Sequence, residues 1–203
     1  LLETINLTQS AASVTFDNLP QTGYTDLKIV VSARNATNNY GGYQVRINGA
    51  TTNNSYIYLR GTSNVAQSGS RTDMLDVATF PVSSDGGNAY SNDEIYIPNY
   101  TSSVNKSFFV DSVRETTSST DWQLRMSAAL QANTAAVTSV VLTVDTDSFV
   151  ANSTFSLYGV AADGTTPVTG PKAFGGNIVA NDGTYWYHAF LSSGTFTPDQ
   201  ELS

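Results

Sequence analysis

DWQLRMSAAL, residues 121–130, decides the fold class. By propensity it is the best helix candidate in the chain, since Leu, Arg, Met and Ala are all good helix formers. Its apolar residues, however, recur every second position. Trp122, Leu124, Met126, Ala128 and Leu130 share one side, and Gln123, Arg125 and Ser127 share the other. A period of two belongs to a strand, whereas a helix needs apolar positions three and four apart. The stretch reads as β, and with it the chain loses its strongest helix.

The same alternation runs outward in both directions. In TDLKIVVSAR (25–34), Leu27, Ile29, Val31 and Ala33 oppose Lys28, Ser32 and Arg34, with Val30 as an apolar exception. In GYQVRING (42–49), Tyr43, Val45 and Ile47 oppose Gln44, Arg46 and Asn48. Further strands are expected at SVTF (13–16), SYIYLR (55–60), DEIYIP (93–98), KSFFVDSV (106–113), TSVVLTVD (138–145) and NSTFSLYGV (152–160). Asn48-Gly49 is a two-residue hairpin signal, because both residues tolerate positive φ. Gly41-Gly42, Gly86-Gly87, Asp163-Gly164 and Asp182-Gly183 punctuate other turns. GTSNVAQSGSRTDML (61–75) is polar and reads as a surface loop. Many short strands without helical spacers give an all-β, antiparallel sandwich or barrel, and the length favours a jelly-roll-like β-sandwich.

Two prolines and four glycines crowd DGTTPVTGPKAFGG (163–176). The expected organisation is therefore a sandwich over 1–162, a Pro/Gly linker over 163–175 and a short β-meander over 176–203. The meander strands are NIVA, TYWYHAFL and GTFTP. About thirty residues of meander are too few to be stable alone, so this region is expected to pack on the sandwich, on a sister chain or on sequence that follows Ser203.

Charge removes whole classes of function. Only 13% of residues are charged and the net charge is −8. Phosphate backbones and anionic lipids both select clustered Lys and Arg, so neither nucleic acid nor a membrane surface is an expected partner. The longest apolar runs are four or five residues, against the roughly 20 that span a bilayer. Ser and Thr make up about a quarter of the chain and supply its solubility instead. There is no cysteine, hence no disulfide framework and no thiolate metal site.

Three stretches together resemble a known group. They are SVTFDNLPQTGYTDLKIVVSAR (13–34), ANTAAVTSVVLTVDTDSFVANSTFSLYGV (132–160) and DGTYWYHAFLSSGTFTP (182–198). This combination resembles tailed-bacteriophage virion proteins of marine and cyanobacterial phages, of the tail-fibre or surface-appendage type. About 70 of the 203 residues carry the resemblance directly. It implies a non-enzymatic structural protein on the exterior of the particle. Its partners would be other virion proteins, copies of itself with a trimer favoured, and a host-surface glycan. It also implies a glycine-rich continuation beyond the third motif. Two alternatives stand beside the tail fibre: a capsid decoration protein, and a carbohydrate-binding β-sandwich module.

The chemistry-bearing residues are few. Exposed aromatic rings stack on sugars, which makes Tyr56, Tyr58, Tyr40 and Tyr43 candidate surface contacts. Trp186, His188 and Phe190 fall on one side of TYWYHAF and are candidate oligomer contacts. His188 is the only histidine, and one His builds no His-rich metal site. No G-x-S-x-G elbow occurs. The carboxylates Asp93 and Glu94 open one strand, and Asp145 and Asp147 close another. They read as solvated charges that discourage edge association. An EF-hand pattern is absent, and no carboxylate is singled out as a raised-pKa glycosidase acid. No catalytic residue, bound metal or cofactor is expected.

Overall fold

A computed structural model describes residues 1–37, 42–62, 64–72, 77–83, 85, 89–117, 122–144, 147–161, 173–181 and 186–198. Among the described residues, eleven strands belong to a first unit, Leu1–Ala162. They are β1 (Glu3–Asn6), β2 (Ser13–Phe16), β3 (Asp26–Ser32), β4 (Tyr43–Ile47), β5 (Asn54–Thr62), β6 (Val65–Thr72), β7 (Asn92–Ile97), β8 (Lys106–Arg114), β9 (Gln123–Gln131), β10 (Val140–Val144) and β11 (Thr154–Val160). Four short ones belong to a second unit, Asp163–Ser203: β12 (Ala173–Phe174), β13 (Ile178–Asn181), β14 (Trp186–Ala189) and β15 (Thr197–Pro198).

The chain is all-β, and the first unit is an antiparallel sandwich of unequal layers. Eight strands form one sheet in the order β1-β11-β3-β7-β8-β9-β5-β6, and three form the other in the order β2-β10-β4. Alternation places Leu27, Ile29 and Val31 of β3 and Ile95 and Ile97 of β7 on the inner side of the large sheet. Val45 and Ile47 of β4 and Val140 and Leu142 of β10 face them from the small one. An aromatic group joins the layers. Phe149 packs edge-on against Phe155 at 5.0 Å and against Tyr43 at 5.7 Å, and Phe80 lies within 6.0 Å of both Tyr43 and Phe149. Each buried ring removes a large apolar area from water, which suits a chain with few charges.

Three strands cannot cover eight, and an extended non-strand segment fills part of the difference. Val77–Val82 is buried throughout. Its backbone polar groups must still find partners, and side chains of the large sheet supply several of them. Ser112 Oγ accepts the Thr79 N–H at 2.9 Å and lies 3.0 Å from the Thr79 carbonyl. Ser127 Oγ donates to the Val77 carbonyl at 2.8 Å. At the far end, the Asn35 N–H donates to Pro81 O at 2.8 Å.

This segment helps to explain an inversion in β9. Its alternation is as expected, but the apolar side faces out. Gln123, Arg125, Ser127 and Gln131 are buried, while Leu124, Met126 and Leu130 are exposed. β5 follows suit, with Tyr56 buried and Ile57 and Leu59 each more than 60% exposed. On the inner side Ser127 answers the Val77 carbonyl of the buried segment, Arg125 lies over the Tyr56 and Tyr58 rings, and the flanking amides bond elsewhere, Gln123 Nε2 to Thr62 Oγ1 at 3.1 Å and Gln131 Nε2 to Thr52 O at 3.3 Å.

Two local readings also change. Residues 65–72, expected in a loop, form the edge strand β6, which pairs with β5 along its whole length. It shows no apolar alternation because both of its sides are largely in solvent. The Asn48-Gly49 turn has the expected geometry, with φ of 51° and 70°, but it does not close a hairpin. It carries the chain from β4 in the small sheet to β5 in the large one. Asn48 braces that crossing: its Oδ1 accepts the Thr138 N–H at 2.8 Å and its Nδ2 donates to Ala136 O at 2.9 Å.

In the second unit, β13 pairs with β14 as a hairpin. GTFTP contributes β15, which pairs back with β12 rather than with β14. Residues 163–172 of the expected linker lie outside the described residues.

Candidate functional site

The sequence candidates separate into buried and exposed groups. Tyr43 is fully buried and Tyr56 nearly so, which removes both as surface contacts. The reason differs for each. Tyr43 points from the small sheet into the aromatic core. Tyr56 lies on the polar inner side of β5, where the Arg125 guanidinium sits over its ring at 5.6 Å. Tyr58 is half-buried, and its ring carries the same guanidinium at 4.7 Å and that of Arg60 at 5.7 Å. The Tyr58 ring also lies on Gly69 of β6, where a Cβ would come within 2.8 Å of three of its atoms. These contacts stack cations on rings within the fold. Tyr40 and Asp145 lie outside the described residues.

His188 is held inside the second unit. Its Nδ1 lies 2.6 Å from the Gly175 carbonyl, so the ring carries its proton on Nδ1, because a carbonyl only accepts. Phe196 meets the ring edge-on at 5.2 Å. Phe190 and Tyr187 are exposed. The side chain of Trp186 lies outside the described residues.

The two strand-opening carboxylates part company. Glu94 points outward and pairs with Lys28 at 2.7 Å. Asp93 points inward and is 1% exposed, contrary to the expectation of a solvated charge. It receives the Tyr43 hydroxyl at 2.9 Å, Ser91 Oγ at 2.7 Å and Ser112 Oγ at 2.6 Å. Burial pushes its pKa up to about 7, against the pull of those hydroxyls. The proton count agrees. Ser112 has one hydroxyl proton but two acceptors in reach, Asp93 Oδ1 and Thr79 O. A protonated Asp93 donates to Ser112, and Ser112 then donates to Thr79 O, so both contacts of Ser112 are met with one hydroxyl proton. The core position closes Asp93 to substrate, so its raised pKa concerns stability. Asp147 is tied down by the Thr37 N–H at 3.1 Å and the Ser148 N–H at 2.8 Å, and it also accepts the Thr37 hydroxyl.

Among the described residues of the first unit, the outer side of the β8-β9-β5 end exposes the broadest run of large apolar side chains. Register places Ala128 opposite both Ile57 and Phe109, and Met126 opposite both Leu59 and Asp111. Leu124 and Leu130 extend the patch along β9, and Trp122 continues the alternation past its end. A shallow groove of about 500 Å³ crosses it, lined by Ile57, Leu59, Ser68, Ser70, Phe109 and Met126. The only charged side chain on β8 or β9 directed to this face is Asp111. The sequence contains the signal for this face, because β5 and β9 each show a clean aliphatic side. Hydropathy alone assigns that side to the interior.

No family model, curated protein or solved structure matches this chain.

Proposed function

We propose that the chain is a non-enzymatic structural protein of a tailed-bacteriophage particle. It is a tail-fibre or surface-appendage component on the virion exterior, which anchors to other virion proteins, associates with itself and meets the host surface. The three quoted motifs support the phage assignment. One structural observation supports the assembly role: a wide, almost uncharged apolar sheet face turned to solvent. Contiguous patches beyond a few hundred Å² are rare on proteins that act alone and mark surfaces covered by a partner.

A capsid decoration protein would use the same face, and location separates the two. Gold-labelled antibody raised against the 203-residue chain is applied to particles purified from lysates that express it. Label on tail appendages is the expected result. Label confined to the head makes it a decoration protein, and bare particles overturn the virion reading. The carbohydrate-module alternative is weakened by the burial of Tyr43 and Tyr56.

A further inference from the structure

We infer that the outer face of β8, β9 and β5 is the contact surface for a second copy of this chain, met face to face. The inference rests on the self-association in the functional reading above and makes it a two-fold contact in place of the trimer that the resemblance favours, but it stands on the surface itself and is tested separately.

Size comes first. Ile57, Leu59, Phe109, Trp122, Leu124, Met126 and Leu130 are between 37% and 63% exposed. Together they present roughly 700 Å², close to the ~800 Å² per partner of a stable interface and above the largest patch of an ordinary monomer. Composition agrees. One Met, one Phe and one Trp lie among four aliphatic side chains, and charge is depleted as in the centre of an interface.

The occupant follows from shape and charge. Anionic lipid and nucleic acid are repelled by a chain of net charge −8, which leaves protein. The face belongs to a sheet, and sheets pack on sheets at about 10 Å with side chains interdigitating. A second copy offers a surface of matching extent and chemistry, and a two-fold axis through the patch pairs each residue set with its own counterpart. Two copies of charge −8 repel at long range, so a contact between them must be nearly free of acids. Among the β8 and β9 residues directed to the face, only Asp111 is acidic.

The test measures mass in solution by light scattering on the full 203-residue chain. The parent is expected at twice the 21.6 kDa chain mass. In Met126→Lys the new cation sits opposite Asp111, a favourable cross-strand pair, so the sheet is kept while the face is charged. This variant is expected at the single-chain mass with an unchanged far-ultraviolet circular dichroism spectrum. A second readout does not depend on that variant folding. The chain has no cysteine, so Ala128→Cys places one thiol at the patch centre. A short bismaleimide should couple it into a two-chain band, while Thr15→Cys on the small sheet should not couple. A single-chain parent at 100-fold dilution steps up to its solubility limit overturns the inference, and is the result expected if another virion protein covers the face. A multimer whose mass survives Met126→Lys also overturns it, because self-association then lies elsewhere. Neither result bears on where gold label falls on a particle.

Discussion

Asp93→Asn should make the protein more stable at alkaline pH by removing a charge. Asp93 is buried at the centre of the sandwich, with a pKa raised to about 7 from 3.8. The folded state therefore holds a proton that the unfolded chain releases near pH 4. Between pH 4 and 7 the folded state binds more protons, so stability falls as pH rises through that window and is level beyond it. The difference of about three pKa units corresponds to about 4 kcal/mol lost by pH 8. Asparagine reproduces the protonated acid. Its carbonyl accepts Tyr43 and Ser91, and its amide donates to Ser112, which is freed to donate to Thr79 O. The variant should match the parent near pH 4.5 and exceed it near pH 8, by roughly 8–16 °C in melting temperature for a unit of this size. Thermal unfolding of both proteins, followed by near-ultraviolet circular dichroism across that range, gives the comparison. The difference between parent and variant isolates Asp93 from other carboxylates. A gap that stays constant with pH, or a variant less stable at pH 8, would refute the reasoning.

Two further substitutions probe the inner side of the large sheet. Ser127→Ala strands the buried Val77 carbonyl and should cost about 1–2 kcal/mol in urea unfolding, whereas a change within about 0.3 kcal/mol would show that the carbonyl finds another donor. Gly69→Ala ordinarily stiffens an unfolded chain and stabilises by up to about 1 kcal/mol. Here the new Cβ meets the Tyr58 ring and must push it off Arg125, so a net loss of about 1 kcal/mol is expected, and it should vanish in a Tyr58→Ala background.

The strands were legible because alternation is a local property. SVTF, DEIYIP and KSFFVDSV fall on β2, β7 and β8 to within a residue or two. The side of the sheet that each alternation presents to the core is not local. In β3, with neighbours on both edges and a second layer above, the apolar side is buried as hydropathy demands. In β9 the inner Ser127 meets the Val77 carbonyl and the inner Arg125 meets the Tyr56 and Tyr58 rings, and these polar contacts override hydropathy. β6 was illegible for a different reason: a strand exposed on both sides has no alternation to show. Asp93 gave no signal either, since its burial comes from Tyr43 on the opposite layer, fifty residues away in sequence.

The buried segment Val77–Val82 carries a consequence for register. In an extended chain, peptide groups two residues apart point the same way, and neighbours point opposite ways. Ser127 contacts the carbonyl of Val77 and Ser112 contacts both polar groups of Thr79, two positions along. A slip of one residue would turn both peptides away from both hydroxyls at once. Two serines on neighbouring strands thus help to fix the phase of a segment that belongs to no sheet, together with Phe80, which packs on Tyr43 and Phe149.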